Sequence, residues 1–306
     1  MLLIYNPVMP VQHPTADFCI EIDFQRGSDS PSRVFRAMSA LIDTFQSIDR
    51  QLVQSVDVKI EPVLILEDIE AGSLRAWLRN TLQAIDDEAL KKMDWKPAVG
   101  RYLVRAKYIL IDFTRSNTTI SDRKQLIELG KQLFSAAQET EARLIPAYAP
   151  VPQIEIAKSL KLLKEATSAL SRNDSAKYIT PADEVSFNLQ FDFSPEAIEE
   201  LLTRETISNE QAMILKVKKP DYLGDSMWDF RFENRTIQAK ILDSNWVNRF
   251  QNREVEVRPG DAIKAKINVS VRYGYDGEVV SSHYTILEVL HIIPGQPEEQ
   301  SGLFLP

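Results

Sequence analysis

Three acidic side chains, Glu67, Asp68 and Glu70, follow the apolar run Val63-Leu64-Ile65-Leu66 and so fall at the end of an expected strand. Carboxylates grouped at such a place can hold Mg²⁺ or divide the roles of acid and base. A phosphoryl-transfer site would need further ligands and often a lysine at fixed spacing, and only Glu61 stands nearby. The plainer expectation is a solvated acidic turn that caps the element after it. Cys19, the single cysteine, would need an imidazole or a helix terminus beside it to act as a nucleophile. His13 precedes it in a proline-flanked segment, and a structural thiol is the favoured reading. His283 and His291 share a face of the last expected strand, but lie ~26 Å apart along it, too far to chelate one ion unless that strand folds back.

A second group is aromatic and basic. Tyr222, Trp228, Trp246, Tyr273, Tyr275 and Tyr284 cluster in the last third of the chain, interleaved with Arg231, Lys240 and Arg272. Exposed rings with cations between them can stack bases and hold phosphates. Trp228, Arg231, Lys240, Trp246 and Arg272 are therefore the candidate binding residues. The competing expectation, which the near-neutral charge of the region favours, is that Trp228 and Trp246 fill a core. No G-x-x-x-x-G-K-[ST], G-x-G-x-x-G, G-x-S-x-G or H-E-x-x-H is present. Ten glycines in 306 residues leave little material for a phosphate-cradling loop. No catalytic residue, cofactor or metal is assigned on this basis.

Charge narrows the partners. Residues 1–150 carry 18 Lys+Arg against 20 Asp+Glu, residues 151–210 carry 6 against 11, and residues 211–295 carry 12 against 11. A duplex-binding domain usually shows a basic excess, because affinity comes from neutralised phosphates. No segment has one, which makes nucleic acid the less favoured partner. No apolar run reaches the roughly 18 residues of a membrane-spanning helix. The start Met1-Leu2-Leu3-Ile4-Tyr5-Asn6-Pro7 lacks a basic n-region. With a single cysteine, these features point to a cytoplasmic protein.

The elements that must position these groups follow from periodicity. Phe18, Ile20, Ile22 and Phe24 alternate onto one face of a strand, with Cys19, Glu21 and Asp23 on the other. Ser30-Pro31 then opens a helix whose stripe is Val34, Met38, Leu41, Phe45, Ile48 and Leu52. Val58 to Leu66 reads as a strand covered on both faces, with Pro62 marking a bulge or an edge. Ser73 reads as the cap of a helix from 74 to 82. Residues 98–113 fit either a helix or a buried strand, and their length favours the helix. Helices at 121–138 and 153–170 follow, and their surplus apolar stripes predict self-association through 121–171.

Residues 173–210 are acidic and turn-rich, with a short strand at Phe187–Phe193 and a helix opened by Ser194-Pro195-Glu196. Proteolysis is expected near Asn173–Glu184. Beyond them come strands at 213–217, 228–232 and 235–242, a short helix capped by Asp243, and long strands at 262–273 and 279–293. Asp276-Gly277 reads as a type I′ hairpin turn. The order β-β-β-α-β-β matches the oligonucleotide/oligosaccharide-binding barrel, an analogy of fold and not of function. The expected fold is therefore α+β. A small sheet with several helices occupies 1–172, a junction 173–210, a small β-barrel 211–295 and a flexible tail 296–306.

The stretches Ile69-Glu70-Ala71-Gly72-Ser73-Leu74, Pro220 to Trp228 and Arg258-Pro259-Gly260-Asp261 resemble segments of uncharacterised bacterial proteins encoded among anti-phage defence and other conflict-system genes. The resemblance implies a context and no reaction. It fits a non-enzymatic sensor or assembly component, partnered by itself and by another protein of the same system. The two rivals are a nucleic-acid-binding barrel and a metal-dependent enzyme built on residues 67–70.

Overall fold

A computed structural model describes residues 13–25, 27, 30, 32–70, 73–84, 94–222, 224, 226–258 and 260–295. The chain divides into two compact units, Met1–Leu201 and Leu202–Pro306. The fold is α+β, as the periodicities imply. The expected tail 296–306 lies outside the described residues.

In the first unit, β1 (Phe18–Asp23) is the middle strand of an antiparallel sheet. It is flanked by β2 (Ile60–Glu70) and β3 (Leu74–Ala84) on one side, β4 (Ser175–Ile179) and β5 (Glu184–Ser186) on the other, in the order β2-β3-β1-β4-β5. Helix α1 (Ser32–Val56) buries its whole expected stripe, Val34, Met38, Leu41, Phe45, Ile48 and Leu52. Helices α2 (Trp95–Ser116), α3 (Arg123–Glu139) and α4 (Gln153–Thr167) complete the layer. Residues 98–113 are thus helical. The Asp122 side chain caps α3 in a capping box with Gln125. Phe18, Phe45 and Tyr178 form the ring contacts that join β1, α1 and β4, with centroids 5.0–5.7 Å apart.

Several expectations fail here for identifiable reasons. Residues 74–82 are a strand. Leu74, Leu78 and Leu82 fit a helix stripe, but Leu74, Ala76 and Leu78 also alternate, and pairing with β1 and β2 selects the extended form. β2 is an edge strand, as Pro62 indicates, with Val63 and Leu66 38% and 48% exposed instead of doubly covered. Residues 173–186 are no junction, because β4 pairs with β1 from Cys19 to Asp23. That pairing removes the reason for proteolysis near Asn173–Glu184. Phe187–Phe193 is irregular, its three phenylalanines buried without a ladder. The helices of 121–171 spend their stripes internally: Leu126, Leu129, Leu133, Leu160 and Leu163 are all buried. Those side chains are spent within the unit, while Leu144 in the same stretch is 66% exposed.

The second unit has five strands. β6 (Thr203–Lys219), β7 (Trp228–Phe232), β8 (Arg235–Ile241), β9 (Ala262–Gly274) and β10 (Val279–Ile293) pair as a ring in the order β10-β8-β7-β6-β9. The link between β8 and β10 is parallel and short, Tyr284–Ile286 against Ala239–Ile241. A short helix α6 (Ser244–Gln251) follows β8, with the Asp243 carboxylate accepting from Trp246 N at 3.0 Å. α5 (Pro195–Leu202) precedes β6, which begins ten residues before the expected strand at 213.

The two hairpin turns exchange the expected chemistry. Glu233 and Asn234 both have positive φ, 44° and 63°, as a type I′ turn requires. At the β9–β10 turn only Gly277 is left-handed, at 81°, and its N–H donates to Gly274 O at 3.2 Å. That is a type I turn over Tyr275-Asp276 followed by a glycine bulge, not the expected type I′.

Candidate functional site

Trp228 and Trp246 are 2% and 7% exposed and belong to the interior of the barrel unit. Trp228 packs on Trp246 and Phe250 with centroids 5.7 and 4.9 Å away, so α6 plugs the ring with aromatic surface. Neither indole is open to a base. Strand alternation decides this: Trp228 and Phe230 point inward opposite Ala239 and Ile237, and Arg231 therefore points outward.

Arg231 and Lys240 do lie on the outer face. Arg231 sits opposite Lys216 on β6 and opposite Thr236 on β8. Lys218 reaches across the same strand, its Nζ 3.2 Å from Thr236 Oγ1. Lys216 and Lys218 on β6 and Arg231 on β7 are thus side by side over two paired strands, all exposed. No carboxylate forms an ion pair with any of them among the described residues. Lys264 continues the stripe on β9, opposite Ile214 and diagonal to Lys216. Lys240 extends it along β8, beyond Gln238, which binds Asp229 at 3.0 Å. Arg272 is not part of it. It lies opposite Thr206 on β6, ten residues and ~33 Å from the level of Lys216.

Sequence reasoning missed Lys216, Lys218 and Lys264. The spacing of 216 and 218 is itself a same-face signal. What it could not reveal is that β6 and β7 meet in a register that sets Lys216 against Arg231. Two like charges directly opposite on paired strands are unfavourable by roughly 0.2–1 kcal/mol. Tyr222 lies in the β6–β7 loop just past Lys219, is 57% exposed and stacks on Phe250 at 5.3 Å. It is an exposed ring at one end of the stripe.

The 67–70 carboxylates are engaged otherwise. Glu67 accepts from Arg79 Nε at 2.5 Å and from Thr15 Oγ1 at 3.1 Å, and these donors hold its carboxyl below the usual range. Glu70 accepts from Trp77 Nε1 at 3.0 Å and from Arg75 Nη1 at 3.3 Å. Asp68 accepts from Ile69 N at 2.7 Å and stands 3.9 Å from His13 Nε2. Salt bridges and hydrogen bonds thus occupy the group expected as a solvated turn. Among the described residues no three His, Cys, Asp or Glu side chains converge as a metal site.

Cys19 is fully buried, and burial pushes its thiol up to about 12, so it is a protonated structural thiol at neutral pH. His13 stacks on Trp77 at 5.7 Å instead of meeting it. His283 binds Ser281 Oγ at 3.1 Å, and β10 runs unbroken between it and His291.

Two further features of the first unit involve charge. Lys107 and Asp49 form a fully buried ion pair between α2 and α1, with Lys107 Nζ 5.0 Å from the centre of the Phe18 ring. Burial lowers the Lys107 pKa and raises that of Asp49, each opposed by the other's charge. A cavity of about 500 Å³ opens beside α2, bordered by Arg101, Arg105, Tyr108, Asp17, Glu139 and Asp183. Its arginines are matched by acids: Arg105 lies 3.6 Å from Asp183, and Arg101 3.9 Å from Glu141. With Asp17, Glu139 and Asp183 against these two arginines, the lining is slightly acidic and offers no unopposed cation.

No described helix is long and apolar enough to cross a membrane. No family model, curated protein or solved structure matches this chain.

Proposed function

We propose that this protein is a non-enzymatic cytoplasmic assembly component whose barrel unit binds a polyanion, single-stranded nucleic acid being the class that fits. One observation carries this reading: Lys216, Lys218 and Arg231 adjoin on the outer face of β6 and β7, beside β8, with no carboxylate ion-paired to them among the described residues. Their mutual repulsion is relieved by a bound phosphate chain, and each phosphate contact releases counterions. The outer face of the second and third strands, with the loop after the first, is also where barrels of this strand order take extended ligands. That is analogy and adds only weight. Affinity here rests on charge more than on stacking, because the tryptophans are inside.

The test is fluorescence anisotropy of a labelled single-stranded oligonucleotide at low and high salt. Binding that weakens with salt is expected. Lys216→Glu and Arg231→Glu should each weaken it and reduce the slope of log K against log salt by about 0.7 per lost contact. Affinity unchanged by both variants sinks the reading. The defence-system context implied by residues 69–74, 220–228 and 258–261 is likewise a proposal. Phage plating on cells with and without the gene, and with the Arg231→Glu variant, tests it.

A further inference from the structure

β6 is far longer than the ring needs. Its 17 residues compare with about 5–6 for a typical strand. From Thr203 to Lys216 one edge pairs with β9, while the other edge meets β7 only over Lys216–Lys219 among the described residues. Residues 204–212 are all exposed. They form, with β9 and β10, a three-stranded arm whose outer edge pairs with no other strand among the described residues.

Natural proteins blunt such edges with charged side chains, lysine above all, with proline or with very short strands, and the charges here are Arg204, Glu205 and Glu210. Between Thr203 and Leu215 this edge has neither lysine nor proline. The arm is also two-faced. Ile207, Val271 and Ser282 align across it on one side, with Val269, Tyr273 and Tyr284 beside them. Thr206, Ser208, Ser270 and Arg272 lie on the other. Ile207 is 51% exposed and Val279 51%.

We infer that the open edge of β6 pairs antiparallel with the same edge of a second copy, about a two-fold axis at Ile207. The register follows from the side chains. A two-fold contact is self-complementary, so each residue meets the one an equal distance beyond the axis. With the axis at Ile207, Arg204 faces Glu210 of the partner in both halves, Thr206 faces Ser208, and Ile207 faces itself. Opposite charges, paired hydroxyls and an apolar pair are the combinations that stabilise directly opposed residues. An axis at Thr206 sets Glu205 against Ile207, and an axis at Ser208 sets Thr206 against Glu210 and Ile207 against Asn209. Neither brings Arg204 to an acid. Glu210 already binds Lys266 at 2.6 Å, so its second oxygen remains for the partner's arginine. The interface uses none of the residues of the proposed polyanion face.

Light scattering at high micromolar concentration is expected to give about 70 kDa, twice the chain mass of 34.9 kDa. Cysteine scanning then reads the register. Ile207→Cys places two thiols directly opposite, and mild oxidation should link the dimer. Asn209→Cys separates them by ~13 Å along the strands and should not link. Cys19 is fully buried and does not interfere. Arg204→Glu should weaken the dimer at least tenfold, and adding Glu210→Arg should restore it. A monomeric mass at that concentration overturns the inference. So does a dimer in which Asn209→Cys links as readily as Ile207→Cys. Both 207 and 209 are exposed, so neither variant threatens folding.

Discussion

The Lys107–Asp49 pair offers a sharp test of how the first unit is held together. Both side chains are essentially inaccessible, at 0% and 2% exposure, and the hydrogen bond between them is direct. Lys107→Met removes one charge and leaves Asp49 buried at 2% exposure without its cation, where the Lys107 ammonium had lain 5.0 and 5.9 Å from the Phe18 and Phe45 rings. Breaking a buried pair in this way costs about 3–5 kcal/mol, a large part of the 5–15 kcal/mol that stabilises a typical domain. For a unit of this length that corresponds to roughly a 10 °C fall in its melting midpoint. Replacing both partners is a different perturbation. Lys107→Met with Asp49→Val keeps the combined volume of the pair close to the parent's, removes both desolvation costs and should fall within about 1 kcal/mol of the parent, or above it. Urea unfolding followed by circular dichroism measures all three, with the barrel transition as internal reference. Loss of under 1 kcal/mol in Lys107→Met would refute the reasoning, as would a double variant as damaged as the single.

Asp174 accepts from Arg33 at 2.8 and 2.9 Å and from the backbone N–H of Gln25 and Ser171, so its carboxyl is held well below the usual range. A depressed folded pKa gives stability that is present above the unfolded value near 3.9 and lost as pH falls through the folded one. Asp174→Asn should therefore cost about 3 kcal/mol at pH 7 and flatten the acid limb below about pH 4 in a pH series of melts. Native Cys19, its thiol pushed up to about 12, should resist iodoacetamide at pH 8 and react once urea unfolds the chain, as mass spectrometry will show. Gly277→Val forces a β-branched residue to φ 81° and should cost about 1–3 kcal/mol, while Gly277→Asn should cost less; equal melting of the two would exclude the glycine bulge.

Much of this architecture is legible in local pattern because the relevant forces are local or periodic. The α1 stripe from Val34 to Leu52, the alternation of Phe18, Ile20 and Ile22, and the Asp243 cap each specify an element from within a few residues, and each is found. The order of strands around α6 is likewise a chain property. Two kinds of feature escaped. Where an apolar set fits both periods, as at Leu74, Leu78 and Leu82, only the neighbouring strands decide, and they choose β3. Where a site depends on register, composition is silent. Lys216 and Arg231 are fifteen positions apart in an overall neutral region, yet a specific β6–β7 pairing makes them neighbours.

Burial divides the candidate residues in the same way. That Trp228 and Arg231 occupy opposite faces of one strand follows from the sequence, since their separation is odd and side chains alternate. Which of the two faces water required the ring to close, because only closure defines an inside. Chain chemistry alone pointed to an α+β protein with a β-β-β-α-β-β unit in its last third and favoured a structural cysteine, whose burial and protonation the tertiary structure then fixed. Tertiary structure alone decided that the tryptophans are core, that the 67–70 carboxylates are engaged by Arg79, Arg75 and Trp77, and that β6 carries an open edge. The reason is common to all three. Periodicity reports which side chains share a face, whereas exposure, ion pairing and strand register are set by partners distant in the chain.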